Sequence, residues 1–359
     1  MLSMNVIYAV CSWGLGHATR SLPIIRKLIT EGHQLTIISN DRPLDLLKKE
    51  LGQKVEYYDI QDYPMLLSEN SRQFLAKSMV YWPIFIKRIE SGLIQLQKIL
   101  QKKKYQLIIS DARYDMYSKN IPSYFISHQM RIMNPLRIRM FESGSELFNK
   151  FFFKRFEGIL VPDYQTDDLS GELSHNLKRL DTSKIHYIGA LSDFTIKKNR
   201  KTIDYLISLS GPEPQRSIIE NKILDQIHKI DGNIVMTLGK TEINTEKKQD
   251  NITTYSFLTK EKREDLLNKS KMIIARSGYS TIMDLGVLHA KGLLIPTPGQ
   301  IEQEYLGQYH NKKGTFYSIS QSNLDLADAV KNTKKTSGIT RECDVSNSVE
   351  SVMNIIRSR

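Results

Sequence analysis

The sequence predicts an α/β fold in two domains, and three observations carry that prediction. Short apolar runs closed by turn residues alternate with amphipathic stretches, the pattern of parallel strands joined by helices. The rhythm breaks across a mixed stretch that closes in the basic run KKNRK, then restarts at TIDYLISLS. A length of 359 residues with 40% hydrophobic side chains is enough to bury two cores. The expected division is an N-terminal domain at 1–165, a linker region at 166–201, a second domain at 202–340 and a terminal helix in 341–359.

Each element has its own signal. NVIYAV, at 5–10, reads as the first strand. Leu22, Ile25 and Ile29 then share one helical face, and Gly32 is placed to end that helix. Further strands are expected at 34–39, 106–110, 123–127 and 158–161. After the restart at 202–210, SGPEPQR reads as a turn, because its prolines fit a helix only in the first turn. Strands at 233–237, 253–256, 271–275 and 292–295 follow, with a helix at 280–289. Val349, Val352, Met353 and Ile356 mark one face of a last helix, with Ser346 or Asn347 as its cap. No short-period repeat or low-complexity segment is visible.

Lys and Arg number 51 against 39 Asp and Glu, so the net charge of +12 favours acidic partners: nucleic acid, anionic lipid or phosphorylated ligands. The basic residues are scattered and form no aromatic-plus-basic module, which argues against nucleic acid. A basic nucleic-acid-binding protein is kept as the alternative of a different class. Cys11 and Cys343 have no metal-ligand spacing, so a reducing compartment, the cytoplasm, is expected, with no zinc and no disulfide scaffold. No stretch approaches the roughly 20 apolar residues of a spanning helix, so any membrane contact is expected to be peripheral, at the inner face of the cytoplasmic membrane.

The chemistry concentrates after two strands. SWGLGHATR follows the first, and there Gly14 and Gly16 allow a tight turn while a helix start favours an anion. A turn in which His17 merely packs explains that loop equally well. GxGxxG is not completed and Asp41 is an ambiguous acid, so a nicotinamide cofactor is not expected. In ARSGYSTIMD, Ser277 and Gly278 would present backbone amides to a diphosphate at a helix start. Asp284, about two helical turns on, could accept hydrogen bonds from a sugar diol. Taken singly these are an ordinary turn and a solvated carboxylate; their combination points to a ligand. Asp111 closes YQLIISDA, where a carboxylate beyond a parallel strand reaches a crevice. His17 and Asp111 are both candidate bases for an acceptor hydroxyl, and the residues alone do not choose between them. Arg113, His128 and Gln129 are candidates for an acceptor phosphate. Between residues 130 and 158, Arg131, Arg137, Arg139, Lys150, Lys154 and Arg155 stand beside Met, Leu and Phe. That mixture suits an anionic membrane surface, although a core helix with a solvated basic side ranks slightly ahead.

GLGHATR, RSGYSTIMD and GQIEQEY together resemble the GT-B glycosyltransferases related to family 28, whose best-known members make the lipid-linked peptidoglycan disaccharide. WGLGHATR, SGPEPQR and SHQM are similar to an archaeal and bacterial group within them. The resemblance spans the chain and implies two Rossmann-like domains facing a cleft, with the last helix returning to the N-terminal domain. It implies an inverting, metal-independent hexosyltransferase that takes N-acetylglucosamine or a related sugar from a UDP-sugar to a hydroxyl acceptor, a lipid-linked one being an option. A nucleotide-sugar hydrolase or epimerase on this fold is the nearest alternative. By the same resemblance the donor residues are Gly239, Phe257, Leu258, Ser277, Gly278, Thr281, Asp284, Glu302 and Gln303. The chain departs from the family in having Asp284 for its Glu, and Leu306-Gly307 for its Asn-Ala.

Overall fold

The computed structural model describes residues 3–64, 71–134, 138–240 and 245–358, with 71–80 as backbone alone. The chain forms two compact units, Met1–Asp193 together with Asp344–Arg359, and Phe194–Cys343. The two-domain α/β architecture expected from the sequence is present.

In the first unit, seven strands β1 (Asn5–Val10), β2 (Gln34–Ser39), β3 (Glu56–Asp59), β4 (Leu107–Asp111), β5 (Ser123–Ile126), β6 (Gly158–Val161) and β7 (Ile185–Tyr187) make one sheet. The order is β3-β2-β1-β4-β5-β6-β7, and every pairing is parallel. Central strands β1 and β4 are near-continuous apolar runs, as strands covered on both faces must be. The helices are α1 (Leu15–Thr30), α2 (Asp41–Leu51), α3 (Ser71–Lys102) and α4 (Arg139–Phe153). Gly14 precedes α1 with φ at 81°, a conformation that favours glycine, and Gly32 at 82° turns the chain out of it.

The second unit repeats the plan. Strands β8 (Ile203–Ser208), β9 (Ile234–Thr237), β10 (Glu246–Gln249), β11 (Ile252–Tyr255), β12 (Ser270–Ala275), β13 (Lys291–Leu294) and β14 (Tyr317–Ser318) lie in the order β10-β11-β9-β8-β12-β13-β14. Only β10 runs antiparallel to its neighbour. Helices α5 (Gln215–Leu224), α6 (Lys260–Lys269), α7 (Tyr279–Val287), α8 (Ile301–Lys313) and α9 (Leu326–Thr333) connect them. Ile207, Ile234, Ile274 and Leu293 from four strands meet Ile219 and Ile223 of α5 in the core.

Two boundaries differ from the sequence reading. Residues 166–193 pack within the first unit, and β7 adds to its sheet beside β6. Buried Asp163 braces that stretch by accepting the amides of Tyr164, Leu169 and Ser170 at 2.7–2.9 Å. Such side-chain-to-backbone bonding leaves no apolar periodicity to read. The last helix, α10 (Val345–Arg357), is capped by Asp344, whose carboxylate accepts the Ser346 amide at 2.8 Å, and not by Ser346 or Asn347. It packs on α1, with Lys27 reaching Glu350 at 3.4 Å and Arg357 paired with Glu31.

Met353 is 1% exposed on the packed face of α10. Met353→Ala should destabilise the first unit by about 2–5 kcal/mol. Hydrogen exchange resolved by peptide should show faster opening across β1 and α1, with protection in β8 and β12 unchanged.

Candidate active site

In each unit the candidate residues sit where the strand order reverses. β1 is followed by β2 on one side and paired with β4 on the other, so loops leaving β1 and β4 diverge and open a crevice at the strands' carboxyl ends. Val10 and Asp111 are partners in register there. α1 rises from the Gly14 turn and brings His17 and Arg20, one helical turn apart, over the end of β4.

Asp111 is wholly buried and fully engaged. It accepts from Arg20 Nε at 2.8 Å and from Arg20 Nη2, from Ser21 Oγ at 2.9 Å, and meets His17 Nδ1 at 2.8 Å. Burial raises the carboxyl pKa, but the charges of Arg20 and His17 and the hydrogen bonds from both outweigh it and hold Asp111 well below the usual carboxylate range. His17 keeps 17% of its side chain exposed, so it is the member of the pair that meets solvent. Burial and the Arg20 charge push its pKa down against the pull of Asp111. A neutral imidazole oriented by a buried carboxylate has the composition of a general base.

His128 joins this cluster through Nδ1, 3.2 Å from Arg20 Nη1, while the Gln129 amide donates to Ser127 Oγ. Arg113 does not face an acceptor. It is 0% exposed, forks onto Asp115 at 3.0 and 2.5 Å and donates to the Ile60 carbonyl at 2.8 Å, because a buried guanidinium must saturate its donors. Arg20 and Ser21 are the residues the sequence reading missed; the signal for Arg20 was its place three residues after His17.

The second unit reverses its strand order between β8 and β12, with Ser208 and Ala275 in register. Ser277 is buried and donates to the Gln303 carbonyl at 2.7 Å, tying α7 to α8. A Cβ built on Gly278 would stand 4.0 Å from both Gln303 Nε2 and Thr281 Oγ1, so these three converge at the start of α7. Asp284 and Thr281 line a small cavity with Ser208, Ser210 and Arg263. Gln303 is already in use: its Oε1 accepts the Thr297 amide at 2.9 Å and its Nε2 donates to Gln300. Glu302 is half-buried beside it. Leu306 and Gly307 face the core, where a Cβ on Gly307 would come 2.8 Å from Pro296 Cγ. Gly239 is exposed with φ at 65°, and Phe257 and Leu258 follow β11, both half-buried.

Arg276 opens the loop before α7. It is 3% exposed and donates to the carbonyls of Ile295, Pro296 and Gln215 at 2.9–3.2 Å. Its Nε and Thr297 Oγ1 have no hydrogen-bond partner. Both lie near the same point, 4.0 and 3.6 Å from a Cβ built on Gly211, which is exposed at the end of β8.

Among the described residues one group has metal-ligand proximity, Asp163, Asp168 and His175. Its members brace the loop after β6, His175 meeting the Tyr164 carbonyl through Nε2 at 2.9 Å. Arg137 lies outside the described residues.

Comparison with known proteins agrees with this fold. An "uncharacterized glycosyltransferase" of Methanosarcina acetivorans is 22% identical over 323 residues, covering 84% of this chain and 80% of its own. The solved glycotransferase of kitacinnamycin superposes with a TM-score of 0.66 at 14% identity, over 99% of this chain and 98% of that one. MurG of Acinetobacter baumannii gives 0.61 at 11% identity, over 99% of this chain and 100% of that one. Residues 4–121 match glycosyl transferase family 1, and residues 215–341 match the glycosyltransferase family 28 C-terminal domain. The chain has the GT-B fold, and each of its halves matches a glycosyltransferase family model. The first matched span holds the Gly14 turn, His17 and Asp111, and the second holds Gly239, Phe257, Leu258, Arg276, Ser277, Gly278, Thr281, Asp284, Glu302 and Gln303, while Ser208, Ser210 and Gly211 precede it.

Asp111→Asn should leave the Arg20 charge buried without its counter-ion and cost about 3–5 kcal/mol at neutral pH. A depressed carboxyl pKa contributes stability that is present above the unfolded value and lost as pH falls towards the folded one. The gap between parent and variant in urea unfolding should therefore narrow below about pH 4.

Proposed function

We propose that the transferase is an inverting enzyme that moves N-acetylglucosamine or a related hexose from a UDP-sugar to a hydroxyl acceptor. The observation that carries the donor assignment is the meeting of a buried cation with a helix start. Arg276 has no carboxylate within ion-pair distance among the described residues, and its Nε faces the exposed Gly211 turn beside α7. A diphosphate there would receive the Arg276 charge, the Thr297 hydroxyl and the free amides of α7. Asp284 would accept from the ribose diol, and Gln303, with Glu302 near it, would orient the sugar. Phe257 and Leu258 would lie near the base.

In the proposed reaction His17 Nε2 removes the acceptor proton while the acceptor oxygen bonds to the anomeric carbon. The bond from that carbon to the diphosphate oxygen breaks, and its electron pair leaves with the nucleotide. Charge growing on the leaving oxygen is met by groups already in place, which lowers the barrier without reorganisation. Asp111, sealed from solvent, steadies His17.

Calorimetry with UDP and UDP-N-acetylglucosamine tests the donor site. Binding should be seen with the parent and weakened at least about tenfold in Asp284→Ala, a loss of roughly 1.4 kcal/mol. Turnover should persist in a chelator. A parent that binds no nucleotide overturns the assignment.

The acceptor side supports a membrane-surface substrate. Met140, Leu147 and Phe151 share one face of α4, at 74%, 52% and 60% exposure, with Arg139 and Lys154 exposed nearby. Arg131 is not part of that surface: it is buried against Glu146 at 2.6 Å. No described helix is long and apolar enough to cross a membrane. Sedimentation with anionic vesicles should capture the parent and lose Phe151→Glu, with little capture by zwitterionic vesicles.

A further inference from the structure

The cluster around Asp111 holds more order than a base and its carboxylate require. Arg20 is 3% exposed and touches three partners at once. Nε and Nη2 grip the two oxygens of Asp111, Nη2 lies 2.9 Å from His17 Nδ1, and Nη1 lies 3.2 Å from His128 Nδ1. The groups facing this row are Asp111 from β4, Tyr8 from β1, Ser21 from α1 and His128 after β5.

A guanidinium only donates hydrogen bonds. His128 Nδ1 must therefore accept from Arg20, which places the proton of a neutral ring on Nε2. At His17 Nδ1 two partners make opposite demands. Asp111 Oδ1, 2.8 Å away, needs a proton on that nitrogen, whereas Arg20 Nη2 needs its lone pair. Only the first arrangement leaves Nε2 bare and able to take a proton from a hydroxyl. In the second, Nε2 carries the hydrogen and the ring is no base.

We propose that Arg20 is a positioning residue which, by clamping Asp111 and both imidazoles in one row, governs the tautomer of His17 and expels the proton that His17 has taken up. The clamp fixes the carboxylate so that Oδ1 points at His17 Nδ1 and favours the base tautomer. The same cation, within hydrogen-bond distance of the ring, repels the imidazolium formed after proton transfer, so the proton passes to solvent and the neutral base is restored. Its pull on the resting His17 is in the same direction, towards the uncharged ring. The catalytic part of this inference rests on the transferase reading; the tautomers and the titration do not.

Nitrogen-15 NMR of histidine-labelled protein without substrate reads the tautomers and the titration directly. In the parent, His128 should show a bare Nδ1 and a protonated Nε2, and His17 a protonated Nδ1 at neutral pH. In Arg20→Gln the His17 titration should move up in pH, and the acid limb of kcat/KM should follow, costing roughly tenfold at its acid end. Arg20→Lys keeps a charge without the fork, so it should hold the titration near the parent value while kcat falls. A proton on His128 Nδ1, or a folded Arg20→Gln whose His17 titrates as in the parent, overturns the proposal. If Arg20→Gln does not fold, the parent tautomers and Arg20→Lys still decide it: Arg20→Lys with unchanged kcat also overturns it. Correct tautomers in a protein that binds no nucleotide would leave Arg20 its role over His17 and remove the donor assignment alone.

Discussion

Both candidate sites in this chain depend on a pair of neighbouring parallel strands, β1 with β4 and β8 with β12. Parallel strands send their carboxyl ends to the same edge of a sheet, and where the order of connection reverses, the departing loops cannot cover that edge. Val10 beside Asp111 and Ser208 beside Ala275 mark the two places. The Gly14 turn and Asp111 leave one edge; the Gly211 turn and Arg276 leave the other. Each edge thus combines a glycine turn, a helix start and a buried charged side chain, although the charges are opposite in sign.

That opposition divides the chemistry. Asp111 is an anion saturated by donors, so the net effect at the first edge is to orient a histidine and to hold one helix against one strand. Arg276 is a cation whose partners are carbonyls, and carbonyl dipoles do not neutralise it. A buried cation left with an unused donor lowers its energy when an anion arrives, which is the property a phosphate site needs. Arg113 shows the contrast: with Asp115 and a carbonyl it is satisfied, and it only braces the turn after β4.

The central strands were legible because burial on both faces forces an unbroken apolar run, which needs no partner to be recognised. β3, β7, β10 and β14 were not, since edge strands of two to four residues such as EYYD and EKKQ are fixed by backbone pairing and carry polar side chains. His17, Asp111, Ser277 and Gly278 stood out because they end strands or lie at helix starts, and Asp284 because it lies about two helical turns beyond Ser277, positions that sequence spacing reveals. The role of Arg20 was hidden, for its partners Asp111 and His128 lie some hundred residues away and only folding brings them together. Arg113, a candidate for an acceptor phosphate, and Arg131, one of the basic residues at 130–158, are each neutralised by a carboxylate that composition cannot assign to them. Gln303 was named through the family resemblance alone, which did not reveal that it also ties the loop after β13 to α8.

The return of α10 to the first unit has a bearing on biogenesis. Residues 194–343 are one uninterrupted stretch and can collapse as soon as they have left the ribosome, whereas the first unit includes residues on both sides of that stretch. Its opening 193 residues must wait, without the α10 that packs on α1, until the entire second unit has been translated. The nascent chain therefore matures in the reverse of the order in which its domains begin. A stall late in translation would strand a finished second unit on a chain whose first unit still lacks α10.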